Sequence, residues 1–274
     1  MIFGITEAGD ASKDYSWTEK VNNTDMSVII TKHIADEFIE KVIPFKNKVI
    51  IHATCTGYGG TVLEPNVPDY KVQLDAVKKL IRSGFPTSQI VVRIDPVIPT
   101  AKGLKNIEKI VSYIYKDVKR FRMSVIDNYQ HIQQRFSENN LPVLFGGKFS
   151  ASDKEFAMVD EVLSNITKTY GVTFECCAEP KLKNAEQTGC ISQKDLSLFG
   201  LTADTQENKG NRYGCLCLKG KKELLKHNPY WFCNKFHIPD NIGVTCGMKN
   251  KCKECNSHTF FGCSNKCLYC YWKS

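Results

Sequence analysis

Residues 89–127, QIVVRIDPVIPTAKGLKNIEKIVSYIYKDVKRFRMSVID, decide the fold. Gln89–Val97 is a β-branched, apolar run, which predicts a strand. Gly103–Val118 then spaces Leu104, Ile107, Val111 and Ile114 along one helical face, and Arg122–Asp127 returns to the strand pattern. A strand, an amphipathic helix and a second strand make a βαβ unit, whose strands pair in parallel.

The alternation extends both ways. Further strands are predicted at Ile2–Thr6, Ser27–Thr31, Lys48–Thr56 and Val172–Ala178, six in all. Amphipathic segments lie at 33–45, 69–85 and 152–171. The last opens with Ser152 and Glu155 at capping-box spacing and closes on Gly171. No glycine-rich dinucleotide fingerprint follows the first strand. Residues 1–210 therefore read as an α/β domain, a partial or complete (β/α) barrel of parallel strands, followed by a cysteine-rich segment at 211–274.

Functional groups of such barrels gather at the C-terminal ends of the strands. Period-2 alternation puts Arg93 and Asp95 on one face of their strand. IIHATCTGYGG brings His52, Thr54 and Thr56 together before turning through Gly57, Gly59 and Gly60, and MSVIDNY ends in Asp127. TFECCAEP sets Glu175, Cys177 and Glu179 on one face and Cys176 on the other. Arg93, Asp95, Asp127, Glu175 and Glu179 are thus candidates for holding substrate or cofactor. Each has a structural reading beside the functional one. Arg93 with Asp95 suits an ion pair, His52 a hydrogen-bonded interior histidine, the glycines a turn, and Cys55 and Cys176 small core residues.

Composition narrows the class. A hydrophobic content of 42% with 24% charged residues suits a soluble globular protein, and no apolar run reaches the ~18 residues of a membrane span. The N-terminus has neither the basic nor the apolar region of a secretory signal, so a cytoplasmic location without a membrane partner is expected. Disulfides are rare in reducing compartments, so 13 cysteines point to metal or redox chemistry. Nine of them fall in residues 211–274, which also hold 11 Lys+Arg against 3 Asp+Glu, the whole formal excess of +8. Clustered lysines suit a nucleic-acid surface. Equally, they would offset the charge of metal-bound thiolates.

Cys263, Cys267 and Cys270 form C-x3-C-x2-C. Three local thiolates suit three corners of a [4Fe–4S] cluster with one iron open, rather than the closed four-ligand shell of structural zinc. With Tyr269 the pattern becomes C-x3-C-x-aromatic-C, which resembles the motif of radical S-adenosylmethionine enzymes. The resemblance implies a cluster on Cys263, Cys267 and Cys270, S-adenosylmethionine on the open iron with Tyr269 near its adenine, and an external electron donor. Gly57 and Gly59 are further cofactor-binding candidates. Most members of that superfamily carry the motif after the first strand, whereas here it stands at the end.

More widely, the chain resembles the domain-of-unknown-function family numbered 1848 through TGYGGTVLEPNVP, VVRIDPVIPT, MSVIDNY, ECCAE, GCIS and GNRYGCLC. That family looks radical-SAM-like and distantly similar to spore photoproduct lyases. The resemblance implies a second cluster on Cys177, Cys190, Cys215 and Cys217. The other reading makes Cys177 and Cys190 core residues and Cys215 with Cys217 half of a zinc site. Residues 218–262 form an insert relative to the family and add Cys233, Cys246, Cys252 and Cys255, a tetrahedral set that favours structural zinc. The expectation is a radical SAM-type enzyme acting on an unknown substrate, with nucleic acid or a nucleotide favoured. The alternative is a zinc-stabilised nucleic-acid-binding protein without catalysis. A metal-dependent hydrolase is disfavoured by only 6 histidines and no H-x-H or H-E-x-x-H motif.

Overall fold

The computed structural model describes residues 1–6, 9–208, 215–218, 221–224 and 263–270, with 205–208, 215–218 and 221–224 as backbone alone. Strands β1 (Ile2–Ile5), β2 (Met26–Thr31), β3 (Val49–Thr54), β4 (Ile90–Val97), β5 (Arg120–Val125), β6 (Thr173–Cys176) and β7 (Glu186–Gln187) pair in parallel in chain order. Over the described residues the sheet curls into a half-barrel that stays open. A ribbon of β8 (Thr205–Asn208) and antiparallel β9 (Cys215–Leu218) stands outside it. Strand β10 (Lys221–Leu224) then joins the free edge of β1 in parallel, with Ile2 opposite Lys221. The main sheet thus draws a strand from beyond residue 210.

All six predicted strands form, and the helices follow. α1 (Trp17–Lys20) is a single turn, and α2 (Asp36–Val42), α3 (Tyr70–Arg82), α4 (Ala101–Ile114) and α6 (Asp153–Tyr170) fall on the amphipathic segments. α5 (Gln130–Glu138) and the short α7 (Gln193–Ser197) were not legible; α5 buries only Ile132 and Phe136, too few to display a period. Helix ends are chemically specified. Asp69 accepts from Lys71 N, Thr100 accepts from Gly103 N, Ser152 and Glu155 close the expected capping box, and Gly171 ends α6 at φ 59°.

Alternation gives the sheet two unlike faces. On the helix-covered face Ile51, Val92, Phe121 and Phe174 pack with Leu74, Val77, Ile107, Ile110, Val159 and Leu163, all buried. Each such side chain contributes about 1.5–3 kcal/mol. The opposite face begins apolar, with Phe3, Met26, Val28, Ile50 and Val91 covered by Ile191 and Leu196. One residue pair further along the strands it turns polar: Thr54 lies in register with Arg93, Arg93 with Arg122, and Arg122 with Glu175.

Candidate functional site at the C-terminal rim of the sheet

The terminal cysteine motif is docked. Residues 263–270 lie across the loops that leave the C-terminal ends of β1, β2 and β3. Leu268 N donates to Leu63 O at 3.0 Å, Asn66 Nδ2 to Ser264 O at 2.6 Å, and Asn265 Nδ2 to Asp10 Oδ2 at 2.7 Å. From α5, Arg135 Nη2 donates to Cys270 O at 2.8 Å. Cys267, Leu268 and Tyr269 are buried in one apolar cluster with Tyr58, Ile98 and Ile126, which follow β3, β4 and β5. The motif therefore sits where a parallel barrel places its chemistry.

At its centre is Glu64, fully buried. Its Oε1 accepts from Lys32 Nζ at 2.7 Å and from the Tyr269 hydroxyl, and its Oε2 accepts from Thr56 Oγ1 at 2.7 Å. Lys32 Nζ also reaches the Tyr269 oxygen at 3.0 Å. Burial disfavours the Lys32 cation, but the Glu64 charge overrides it and holds the ammonium above its ordinary pKa. Burial, then the Glu64 charge, holds the Tyr269 phenol well above its usual value. Burial pushes the Cys267 thiol up to about 12, with Lys32 opposing and Glu64, Cys270 and Cys263 adding to the rise. Cys263 and Cys270 are half-buried.

The loop that carries Glu64 explains the glycines. Gly57 has φ +75°, and a Cβ there would stand 2.7 Å from the Asn106 side chain. At Gly59 it would stand 1.8 Å from Pro68 O. Both Cβ positions are occupied by the protein's own atoms, so packing requires glycine at these two candidate positions.

Further along the rim, Arg93 pairs with Asp95 across one face of β4, as the alternation predicts, and Ser124 Oγ donates to the Asp95 carboxylate. Val125 N donates to Glu179 Oε1 at 2.9 Å. Burial first, then the Asp95 charge, raises the Glu179 carboxyl to about 7. Asp127 is half-buried just past β5. Glu175 is placed elsewhere. It accepts from Arg120 Nε and Nη2 at 3.1 and 2.9 Å and from Arg122 Nη2 at 2.7 Å, with Asp195 on Arg120 at 2.8 Å. The expected single face of Glu175, Cys177 and Glu179 is broken because β6 stops at Cys176 and Ala178 turns to φ 58°. His52 is interior as expected, held well below its ordinary pKa by burial and then by Arg122, yet among the described residues its Nε2 has no hydrogen-bond partner; neither has Thr54 Oγ1.

Cys55 and Cys176 are buried core thiols, each pushed up to about 12 by burial. Cys177 and Cys190 are half-buried, and Cys190 O accepts from Arg122 Nη1 at 2.5 Å. Cys215 and Cys217 lie on β9. Cys233, Cys246, Cys252 and Cys255, and with them the expected zinc site, lie outside the described residues. Among the described residues no three His, Cys, Asp or Glu side chains gather closely enough to hold one metal ion. Asp10, Lys32, Glu64 and Asn265 escaped the sequence reading, since no motif spacing marks them.

Fold and site define an α/β half-barrel protein with a cysteine segment seated on its C-terminal rim. The chain belongs to the family described as Domain of unknown function (DUF1848), whose model matches residues 10–222. The matched span holds Asp10, Lys32 and Glu64 and stops before the terminal cysteines. No curated protein matches the chain. Among solved structures, a probable tagatose 6 phosphate kinase from Sinorhizobium meliloti 1021 is similar at 11% identity and a TM-score of 0.36, over 77% of this chain and 51% of that one. The chain thus spans about half the length of that protein. Among the described residues no helix is long and apolar enough to cross a membrane.

Proposed function

We propose that the chain is a radical S-adenosylmethionine-type enzyme in which Cys263, Cys267 and Cys270 hold three irons of a [4Fe–4S] cluster. The observation that carries this reading is the seat of the motif at the C-terminal rim, the end that also bears Arg93, Asp95 and Glu179. The donor set fits the group. Three soft thiols come from one short segment, one buried and two half-buried, and Cys263 and Cys270 lie close enough for their charges to act on Cys267. A cube spreads its thiolates over separate irons, whereas tetrahedral zinc draws four ligands onto one centre.

When bound, the cluster would supply the electron that cleaves S-adenosylmethionine and starts radical chemistry, drawn from an external donor. The chain's own residues bind, orient and exclude water. Tyr58, Ile98 and Ile126 form an apolar wall against Cys267 and Leu268. Arg93 and Asp95 offer a cation and a carboxylate to the ionic or hydroxyl groups of cofactor or substrate. Glu179, with a pKa of about 7, holds or releases a proton near neutrality. Cys177, Cys190, Cys215 and Cys217 are proposed as ligands of a second cluster, and the formal charge of +8 favours nucleic acid or a nucleotide as substrate.

The test is anaerobic purification with iron, sulfide and zinc analysis, then addition of S-adenosylmethionine and a strong reductant. About four irons or more per chain and formation of 5′-deoxyadenosine, lost in Cys267→Ala, support the reading. Zinc without iron, no product and salt-sensitive nucleic-acid binding overturn it in favour of a zinc-stabilised binding protein.

A further inference from the structure

Cys267 is flanked, two residues on either side, by the two side chains that tie the motif to the sheet. Asn265, 2% exposed, donates to Asp10, and Tyr269, 6% exposed, hydrogen-bonds Glu64. The two carboxylates come from different loops, after β1 and after β3, and both also grip the end of β2. Asp10 accepts from Thr31 Oγ1 at 2.6 Å and from Lys32 N at 2.8 Å, and Glu64 accepts from Lys32 Nζ. Both are buried, at 3% and 0% exposure. Between the two anchors the Leu268 amide is itself bonded to Leu63.

We propose that Asp10 and Glu64 are positioning residues, a two-carboxylate clasp that fixes Cys267 at the rim before any cluster is bound. Hydrogen bonds to a buried carboxylate are charge-assisted, and releasing either partner would leave a buried charge under-satisfied, so the docked state is favoured over a partly detached one. Cys263 and Cys270 lie outside the bracket and are the half-exposed pair. One of the three thiols is therefore held in place before the group binds, which lowers the ordering cost of binding a group that needs all three. The clasp also commits the hydroxyl of Tyr269 to the scaffold, so the motif aromatic serves as an anchor. The use of the clasp rests on the reading of Cys267 as a cluster ligand. Its existence does not, and the test involves neither iron nor S-adenosylmethionine.

The metal-stripped, reduced full chain is treated with iodoacetamide, and alkylation of each cysteine is followed by peptide mass spectrometry. In the unaltered chain Cys263 and Cys270 react fast, and Cys267 reacts slowly, like the core thiols Cys55 and Cys176. Tyr269→Phe and Asn265→Ala each raise the Cys267 rate about tenfold or more, the size expected for losing one charge-assisted hydrogen bond, while Cys55 and Cys176 stay protected. Glu64→Gln, which keeps an acceptor for Tyr269, releases Cys267 less than Glu64→Ala. The clasp is refuted if Cys267 reacts as fast as Cys263 at the outset, or if its rate is unmoved by the substitutions. It is equally refuted if Cys55 and Cys176 become reactive together with Cys267, because the effect is then unfolding of the sheet.

Discussion

Glu175 and Glu179 leave the same strand end four residues apart and enter different chemistry. Glu175 has no exposed surface, and both of its oxygens are claimed by the guanidinium groups of Arg120 and Arg122, which Asp195 also neutralises. Asp195 is held below its ordinary pKa even though burial pushes it up, because Arg122 and Arg120 override burial. Glu179 instead accepts from one backbone amide and faces the charge of Asp95, which with burial raises it to about 7. A carboxylate enclosed by guanidinium groups is scaffold, whereas one facing another carboxylate at the rim is able to exchange a proton. The half-barrel thus stacks a closed charge network beneath an open one.

The largest effect should come from breaking the closed layer. Glu175→Ala leaves the buried Arg122 and the half-buried Arg120 short of a partner and should cost about 3–5 kcal/mol in denaturant unfolding. A loss below about 1 kcal/mol, the range of an exposed pair, would erase the distinction between the layers. Gly59→Ala probes the rim from the backbone side. Its Cβ meets Pro68 O, so the loop bearing Glu64 must move, at a cost in the upper part of the ~1–3 kcal/mol usual for overpacking. An unchanged melting temperature would show that the loop yields freely.

Much of the framework that carries this division was legible. β-branched runs and amphipathic segments located six strands and four helices, and alternation put Arg93 beside Asp95. What escaped depends on distance along the chain or on a local break. Glu64 meets Tyr269 across 205 residues and Asp10 meets Asn265 across 255, and nothing at either end advertises the other. The positive φ of Ala178 parted Glu175 from Glu179 where a continuous strand would have kept them together. β10 reads KKEL, too charged to look like a strand, and is recruited by the free edge of β1. The terminal motif was legible as a spacing of three cysteines, but its docking partners were not.

The open layer predicts a pH signature. The Glu179 carboxyl titrates at about 7 in the folded chain against an ordinary 4.5, so between those values the folded state keeps a proton that the unfolded state has lost. Stability from this group is complete below about 4.5 and falls as pH rises towards 7, by about 3 kcal/mol. Glu179→Gln should flatten that part of the stability profile. A slope that survives the substitution would place the titration elsewhere.

Asp95→Asn should have the smallest effect on stability. Its ion pair with Arg93 is partly open to solvent, with 30% and 17% of the two side chains exposed, so the pair is worth about 0–1 kcal/mol. An amide still accepts from Ser124. Its consequence for Glu179 is more telling. Asp95 is the charge that adds to burial in raising that carboxyl, so neutralising it should lower the Glu179 pKa, measured by NMR titration of the carboxyl carbon. The fall should be partial, because burial is the larger cause and stays in place. A Glu179 pKa that does not move would mean that the two carboxylates do not sense each other. The rim would then lack the pairing that separates it from the closed network below.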